Sequence, residues 1–217
     1  MSDTPTILAQ PLQPERTIHA DDRTLGPKDL YFLLNSVIVP RPIAWVASRS
    51  ASGVDNLAPH SFCTIASTNP ATIAFTSVGD KDSVRNIRET RDFVVNIVSH
   101  ALVEQMNLTS AGAPPNVSEF DISGVTRLAA ERVNSFRVAE APVAIECVLD
   151  QIIEIGTDRM ILGTVAAIHI ADALRDDRDR VDPAKLDAVA RMGGATYSTT
   201  RDRFDLARPT WAALQAE

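Results

Sequence analysis

A chain of 217 residues with 45% hydrophobic and 23% charged residues has the make-up of a folded globular protein and the length of one large domain. Its net charge of −7 excludes general attraction to a nucleic-acid backbone, because the arginines are not gathered into a basic patch; those of residues 174–180 (LRDDRDR) alternate with aspartates in a solvated run. No apolar run approaches the ~20 residues that span a bilayer. The first residues show no basic segment followed by an apolar core, so no secretory leader is expected, and Cys63 and Cys147, each inside an apolar run, are expected as buried free thiols in a reducing cytoplasm.

Residues 1–25, rich in Pro, Thr and Gln at their start, read as an extended arm. Residues 26–37 (GPKDLYFLLNSV) group Leu30, Tyr31, Leu33 and Leu34 behind Gly-Pro, which predicts a short helix with proline near its first turn. Pro40 and Pro42 bracket Arg41 and force an extended entry into a strand at 43–48 (IAWVAS). Gly53 pivots a hairpin connection, and residues 57–68 hold a second strand in which Pro59 is tolerated only at an edge or bulge. A third strand follows at 71–78, a helix at 82–91 capped by Asp82 or Ser83, and a fourth strand at 92–99. Beyond them the pattern predicts a helix at 100–110, a short strand or helix within 125–133, and a long hairpin of 141–155 and 160–170 about Gly156-Thr157-Asp158. A last helix at 182–191 is stopped by Gly193-Gly194, and residues 192–217 form an irregular tail. Short strands punctuated by Gly and Pro predict a single, mainly β domain with short helices, a barrel or sandwich rather than βαβ units.

The common catalytic signatures are missing. There is no zinc-spaced Cys/His cluster, no phosphate loop of the GxxxxGK type, no GxGxxG and no GxSxG, and the four histidines (His19, His60, His100, His169) are scattered. Chemistry borrowed from a bound cofactor is therefore the better reading. Residues 37–96 carry the features that suit a flat ligand with an anionic tail: apolar runs separated by turns of small hydroxyl residues and glycine, then a short charged helix.

Read in order, Arg41-Pro42-Ile43-Ala44, Gly53, Asn56, Ala58-Pro59-His60-Ser61-Phe62, Asn69-Pro70, Lys81-Asp82-Ser83, Asn86-Ile87, Phe93-Val94-Val95-Asn96, GTDRMILG at 156–163, Ile168-His169-Ile170 and Gly193-Gly194 with Tyr197 resemble the flavin reductase-like family over roughly residues 35–209. The resemblance implies a Greek-key split β-barrel of the FMN-binding type. It also implies a homodimer with FMN near the subunit interface, NAD(P)H as co-substrate, and reduced flavin or electrons passed to a partner such as a monooxygenase. An FMN carrier without a nicotinamide site is the rival reading.

Carried over, the resemblance places the ring against Ala58, Pro59, His60, Ser61 and Phe62, with Trp45, Ser48 and Asn56 nearby. It places the phosphate at Lys81, Asp82 and Ser83, where a helix start favours anions. Plainer readings stand beside each assignment: Asp82 and Ser83 as a helix cap, Lys81 as a solvated charge, Trp45 as core or interface, Arg41 as an anchor to a carbonyl or carboxylate, and His60 as a hydrogen-bonded structural residue. Arg159 and Tyr197 are assigned to the nicotinamide or substrate side. Some relatives have histidine where this chain has Arg159, which here binds an anion or pairs with Asp158 or Glu154.

Overall fold

The computed structural model describes residues 16–26 and 28–215. Most of the expected N-terminal arm and the proline at position 27 lie outside these residues; residues 16–26 are irregular with turns. Helix α1 (Asp29–Val37) precedes a seven-stranded antiparallel sheet of order β3-β2-β6-β9-β10-β5-β4. Its strands are β2 (Ala44–Arg49), β3 (Asp55–His60), β4 (Cys63–Thr68), β5 (Ala71–Ser77), β6 (Asp92–Ile97), β9 (Val143–Ile155) and β10 (Asp158–Ile170).

The central strands read as continuous apolar runs because both of their faces are buried. Ala44 and Val46 of β2 point into one core with Phe75, Phe93, Val95 and Cys147; Trp45 and Ala47 point into the other with Leu57, Val94, Met106 and Phe120. Helix α2 (Asp82–Thr90) closes the first core with Val84 and Ile87. The 13-residue strands β9 and β10 form the long hairpin, and β10 shifts register at Leu162/Gly163. A Cβ on Gly163 would lie 2.3 Å from Phe93 Cζ, so only glycine lets that ring cross the strand.

The single strand expected over 57–68 is two strands, and they lie at opposite edges of the sheet. Proline cannot donate to a sheet ladder, and Pro59 is accommodated inside β3 because β3 is an edge. Ser61 and Phe62 carry the chain from one edge to the other. There the Thr76 N–H donates to the Phe62 carbonyl (2.8 Å), extending the β4–β5 ladder by one residue.

Outside the barrel, a 3₁₀ turn (His100–Leu102) and helices α3 (Val103–Leu108) and α4 (Glu119–Ser123) cover the β2–β3 face. The sequence pattern gave no signal for α4, and within 125–133 the chain makes only β7 (Arg127–Leu128), paired with β8 (Arg137–Val138).

The helix expected at 182–191 is corrected. Only one turn, α5 (Pro183–Leu186), is helical; Asp182 caps it by accepting from the Ala184 N–H (2.8 Å) and Asp187 ends it in the left-handed region. The following β11 (Val189–Arg191) pairs with β1 (Arg41–Pro42) on one side and β12 (Tyr197–Thr199) on the other. Tertiary pairing with a strand 150 residues earlier overrides local helix preference. The tail is thus partly regular, ending in α6 (Trp211–Leu214). No helix among the described residues is long and apolar enough to cross a membrane.

Candidate functional site

Five side chains from β2, β3 and α2 converge at the rim of the barrel. Strand pairing sets Ser48 opposite Asn56. Asn56 Nδ2 donates to Ser83 Oγ (3.0 Å) and to Ser48 Oγ (3.4 Å), Asn86 Nδ2 donates to Ser48 Oγ (3.2 Å), and His60 Nε2 lies 3.3 Å from Ser83 Oγ. All five are buried, and the His60 ring packs against Phe75 with centroids 4.8 Å apart. Burial, with Lys81 nearby, lowers the His60 pKa to about 4, so the imidazole is neutral at pH 7.

This network floors a cavity of about 420 Å³ whose wall includes Ala58, Pro59, Lys81 and Glu119. Lys81 is the N-terminal flanking residue of α2 and makes no side-chain capping bond. The Asp82 and Ser83 N–H groups, first in the helix, have no intrahelical acceptor. Three sources of positive potential therefore meet at one wall: an ammonium, free backbone N–H groups and the helix dipole. Neither cap reading holds, since the Asp82 carboxylate pairs with Arg85 and the Ser83 hydroxyl belongs to the network. Glu119 closes the far side; its Oε2 accepts the edge-strand N–H of Leu57 (3.0 Å), and burial raises its pKa despite that bond.

Across Pro59 and Ser110, which line both, a second cavity of about 430 Å³ opens. Tyr31, Arg41, Ser61, Arg191 and Tyr197 face it. Arg41 is a buried anchor: Nη1 donates to the Asn35 (2.6 Å) and Ile38 (3.0 Å) carbonyls and Nη2 to that of Met192 (2.9 Å). Asn35 Oδ1, also buried, has no hydrogen-bond partner.

The structure thus gathers Asn56, Ala58, Pro59, His60, Lys81, Asp82 and Ser83 at one cavity and Pro59, Ser61 and Tyr197 at the next. Four other assigned residues line neither cavity. Trp45 is fully enclosed in the core, its indole donating to Thr109 Oγ1 (2.8 Å), so it offers a ligand no surface. Ser48 is buried behind Asn56 and reaches the cavity only through it. Phe62 packs against Tyr31 and beneath the Arg41 guanidinium and lines neither cavity. Arg159 also lines neither; it faces Glu154 at 3.4 Å and donates to the Gly156 and Asp158 carbonyls. Sequence reasoning missed Glu119, Arg191 and the 109–113 loop as wall residues, each brought from a distant segment. Both cysteines are free, with burial raising Cys63 to about 11 and Cys147 to about 12, so neither is a ready nucleophile.

The model of the flavin reductase like domain matches residues 36–185, and the chain belongs to that family. An uncharacterized protein of Deinococcus radiodurans is 40% identical over 212 residues, 92% of this chain and 93% of the relative. Nitrilotriacetate monooxygenase component B from Bacillus cereus superimposes with a TM-score of 0.83 at 32% identity, over 89% of this chain and 100% of that one. The 2-nitrobenzoate 2-nitroreductase NbaA of Pseudomonas fluorescens follows at 0.80 and 30%, over 89% and 98%. The residues present fit a flavin mononucleotide: a corner of positive potential at Lys81 and the start of α2, buried amide and hydroxyl groups beside it, and a wall of small residues around Pro59.

Proposed function

We propose that this protein is an FMN-dependent oxidoreductase of the NAD(P)H:flavin reductase kind, cytoplasmic, delivering reduced flavin or electrons to a separate acceptor such as a monooxygenase. The observation that carries the reading is the meeting, at one cavity, of Lys81, the unpaired N–H groups opening α2 and the buried Asn56–Ser83–His60 network. Lys81, Asp82 N–H and Ser83 N–H hold the phosphate, Asn56 meets the ribityl hydroxyls, and residues 58–61 lie along the ring. Bound there, FMN would supply the redox chemistry between NADH or NADPH and the acceptor. The chain itself orients and dries the site, and neutral His60 adds no charge to it. The component B likeness supports a partner oxygenase.

A homodimer belongs to the same reading. Helix α1 leaves Phe32, Leu34 and Val37 exposed, as is Ile38 just after it, and β4 leaves Ile65 at 70% exposure, an apolar surface that a second copy would cover. The alternative, an FMN electron carrier with no nicotinamide site, is favoured by one observation: Arg159 lines neither cavity.

Titration of the purified protein with FMN, followed by anaerobic NADH or NADPH, separates these readings. Reductase activity predicts flavin binding and bleaching of the visible band of the oxidised flavin, whereas binding without bleaching selects the carrier. In Lys81→Ala, FMN affinity should fall about 10- to 100-fold with stability unchanged. A protein that takes up no FMN removes both readings.

A further inference from the structure

The second cavity contains an electrostatic problem that its own walls do not solve. Arg41 of β1 and Arg191 of β11 are directly opposed cross-strand partners. Like charges in that position repel; burial first, and Arg191 to a lesser degree, lower the Arg41 pKa against an opposing contribution from Tyr31. Among the described residues neither guanidinium has a carboxylate partner, and the cavity wall contains no acidic side chain. Arg191 donates through Nε and Nη2 to the Gly194 carbonyl and through Nη1 to Tyr197 Oη, while its Cζ lies 4.5 Å from the Tyr197 ring centroid. One N–H on each of its terminal nitrogens remains uncommitted. Around this paired charge stand Tyr31, Phe32 and Tyr197, a set of aromatic faces in a space of about 430 Å³.

We infer that the second cavity binds a small aromatic carboxylate, its oxyanion bridging the Arg41–Arg191 pair and its ring held among Tyr31, Phe32 and Tyr197. Paired guanidiniums without a counter-ion fit a carboxylate's two oxygens. The aromatic faces select a flat body over an aliphatic one. Asn35 Oδ1, buried in the same wall without a partner, provides an acceptor for a hydroxyl or amino substituent on the ring. The consequence of binding rests on the flavin reading, because Pro59 and Ser110 are shared with the first cavity and the bound ring becomes a neighbour of the flavin as acceptor or effector. The binding itself does not rest on it.

Calorimetric titration with benzoate and with its neutral isostere benzamide tests the inference, with and without FMN. Benzoate should bind at least about 10-fold more tightly than benzamide. Arg191→Gln should weaken benzoate about 10- to 100-fold and leave benzamide unchanged, with Arg191→Lys intermediate because it keeps the charge but not the fork. Equal binding of the two ligands to the unaltered protein overturns the inference, and needs no variant in β11. ADP-ribose binding more tightly than benzoate, and losing that affinity in Arg191→Gln, also overturns it, assigning the pair to a dinucleotide pyrophosphate. Benzoate selectivity in a protein that takes up no FMN upholds this site and removes the flavin reading.

Discussion

Asp92 and Glu146, beneath the 129–138 loop, and the Ser48–Asn56–His60–Ser83–Asn86 group, beneath the first cavity, are both polar clusters withdrawn from water, and they are finished differently. Asp92 Oδ1 accepts from the Ser135 N–H (3.1 Å) and hydroxyl (2.6 Å), and Oδ2 from the Asn134 N–H (3.0 Å) and amide (3.2 Å). Glu146 Oε1 accepts from the Glu131 N–H (2.8 Å) and contacts His169 Nε2 (2.5 Å), and Oε2 accepts from the Arg132 N–H (2.6 Å). Burial alone would raise the Glu146 pKa, but these donors hold it below the ordinary carboxylate range. That cluster closes on itself and staples a loop to the sheet. The rim cluster contains no carboxylate, meets a cation only at its edge, and opens into a cavity. The contrast is one of access: the first cluster spends its acceptors on a loop, the second presents Asn56, His60 and Ser83 at a cavity wall.

The largest expected effect tests the closed side. Glu146→Ala strands two backbone N–H groups and leaves His169 without its partner, so unfolding free energy should drop by about 3–5 kcal/mol. Urea denaturation measures this, and FMN affinity at a temperature where the variant is folded should be unchanged. A loss below about 1 kcal/mol would mean that the loop is held by something other than its carboxylate anchor.

A somewhat smaller effect tests the open side through pH. Unfolded, His60 titrates near about 6.5; folded, it titrates at about 4. Between these values the unfolded chain binds more protons. The His60 contribution is therefore complete above the unfolded pKa and is lost as pH falls towards 4, by at most about 3 kcal/mol. Denaturation of the unaltered protein and of His60→Gln at neutral and acid pH should show a flatter pH slope in the variant. Glu119, with its raised pKa, contributes with opposite sign, but it is common to both proteins and cancels in the comparison.

The parts of this molecule that could be read from the sequence are those whose determinants are local. The runs 43–48, 71–78 and 92–99 are buried on both faces and announce themselves as strands. Pro59 correctly required an edge, and Asn56, Ala58–His60 and Lys81–Ser83 share a wall because one hairpin and one helix start place them there. What escaped depends on partners far along the chain. The three-residue β11 looks helical until β1 is seen beside it, and with it Arg191 was missed. Glu119 rides on a five-residue helix too short to leave a periodic signal. The division of 57–68 between two sheet edges follows from barrel curvature, which no window of that length encodes.

Trp45 is the sharpest case, since strand alternation gives its face but not what covers that face. Alternation puts Trp45 opposite Ala44 and Val46, towards either a ligand or a covering layer; α3 and the residues after it supply the layer, with Thr109 meeting the indole N–H. Trp45→Phe removes that bond and leaves a small void, so stability should fall by about 2 kcal/mol while FMN affinity stays as in the unaltered protein. Lys81→Ala should do the reverse. A fall in FMN affinity for Trp45→Phe, at full folding by circular dichroism, would put the indole back beside the ring and undo the distinction between the covered face of β2 and the open wall of β3.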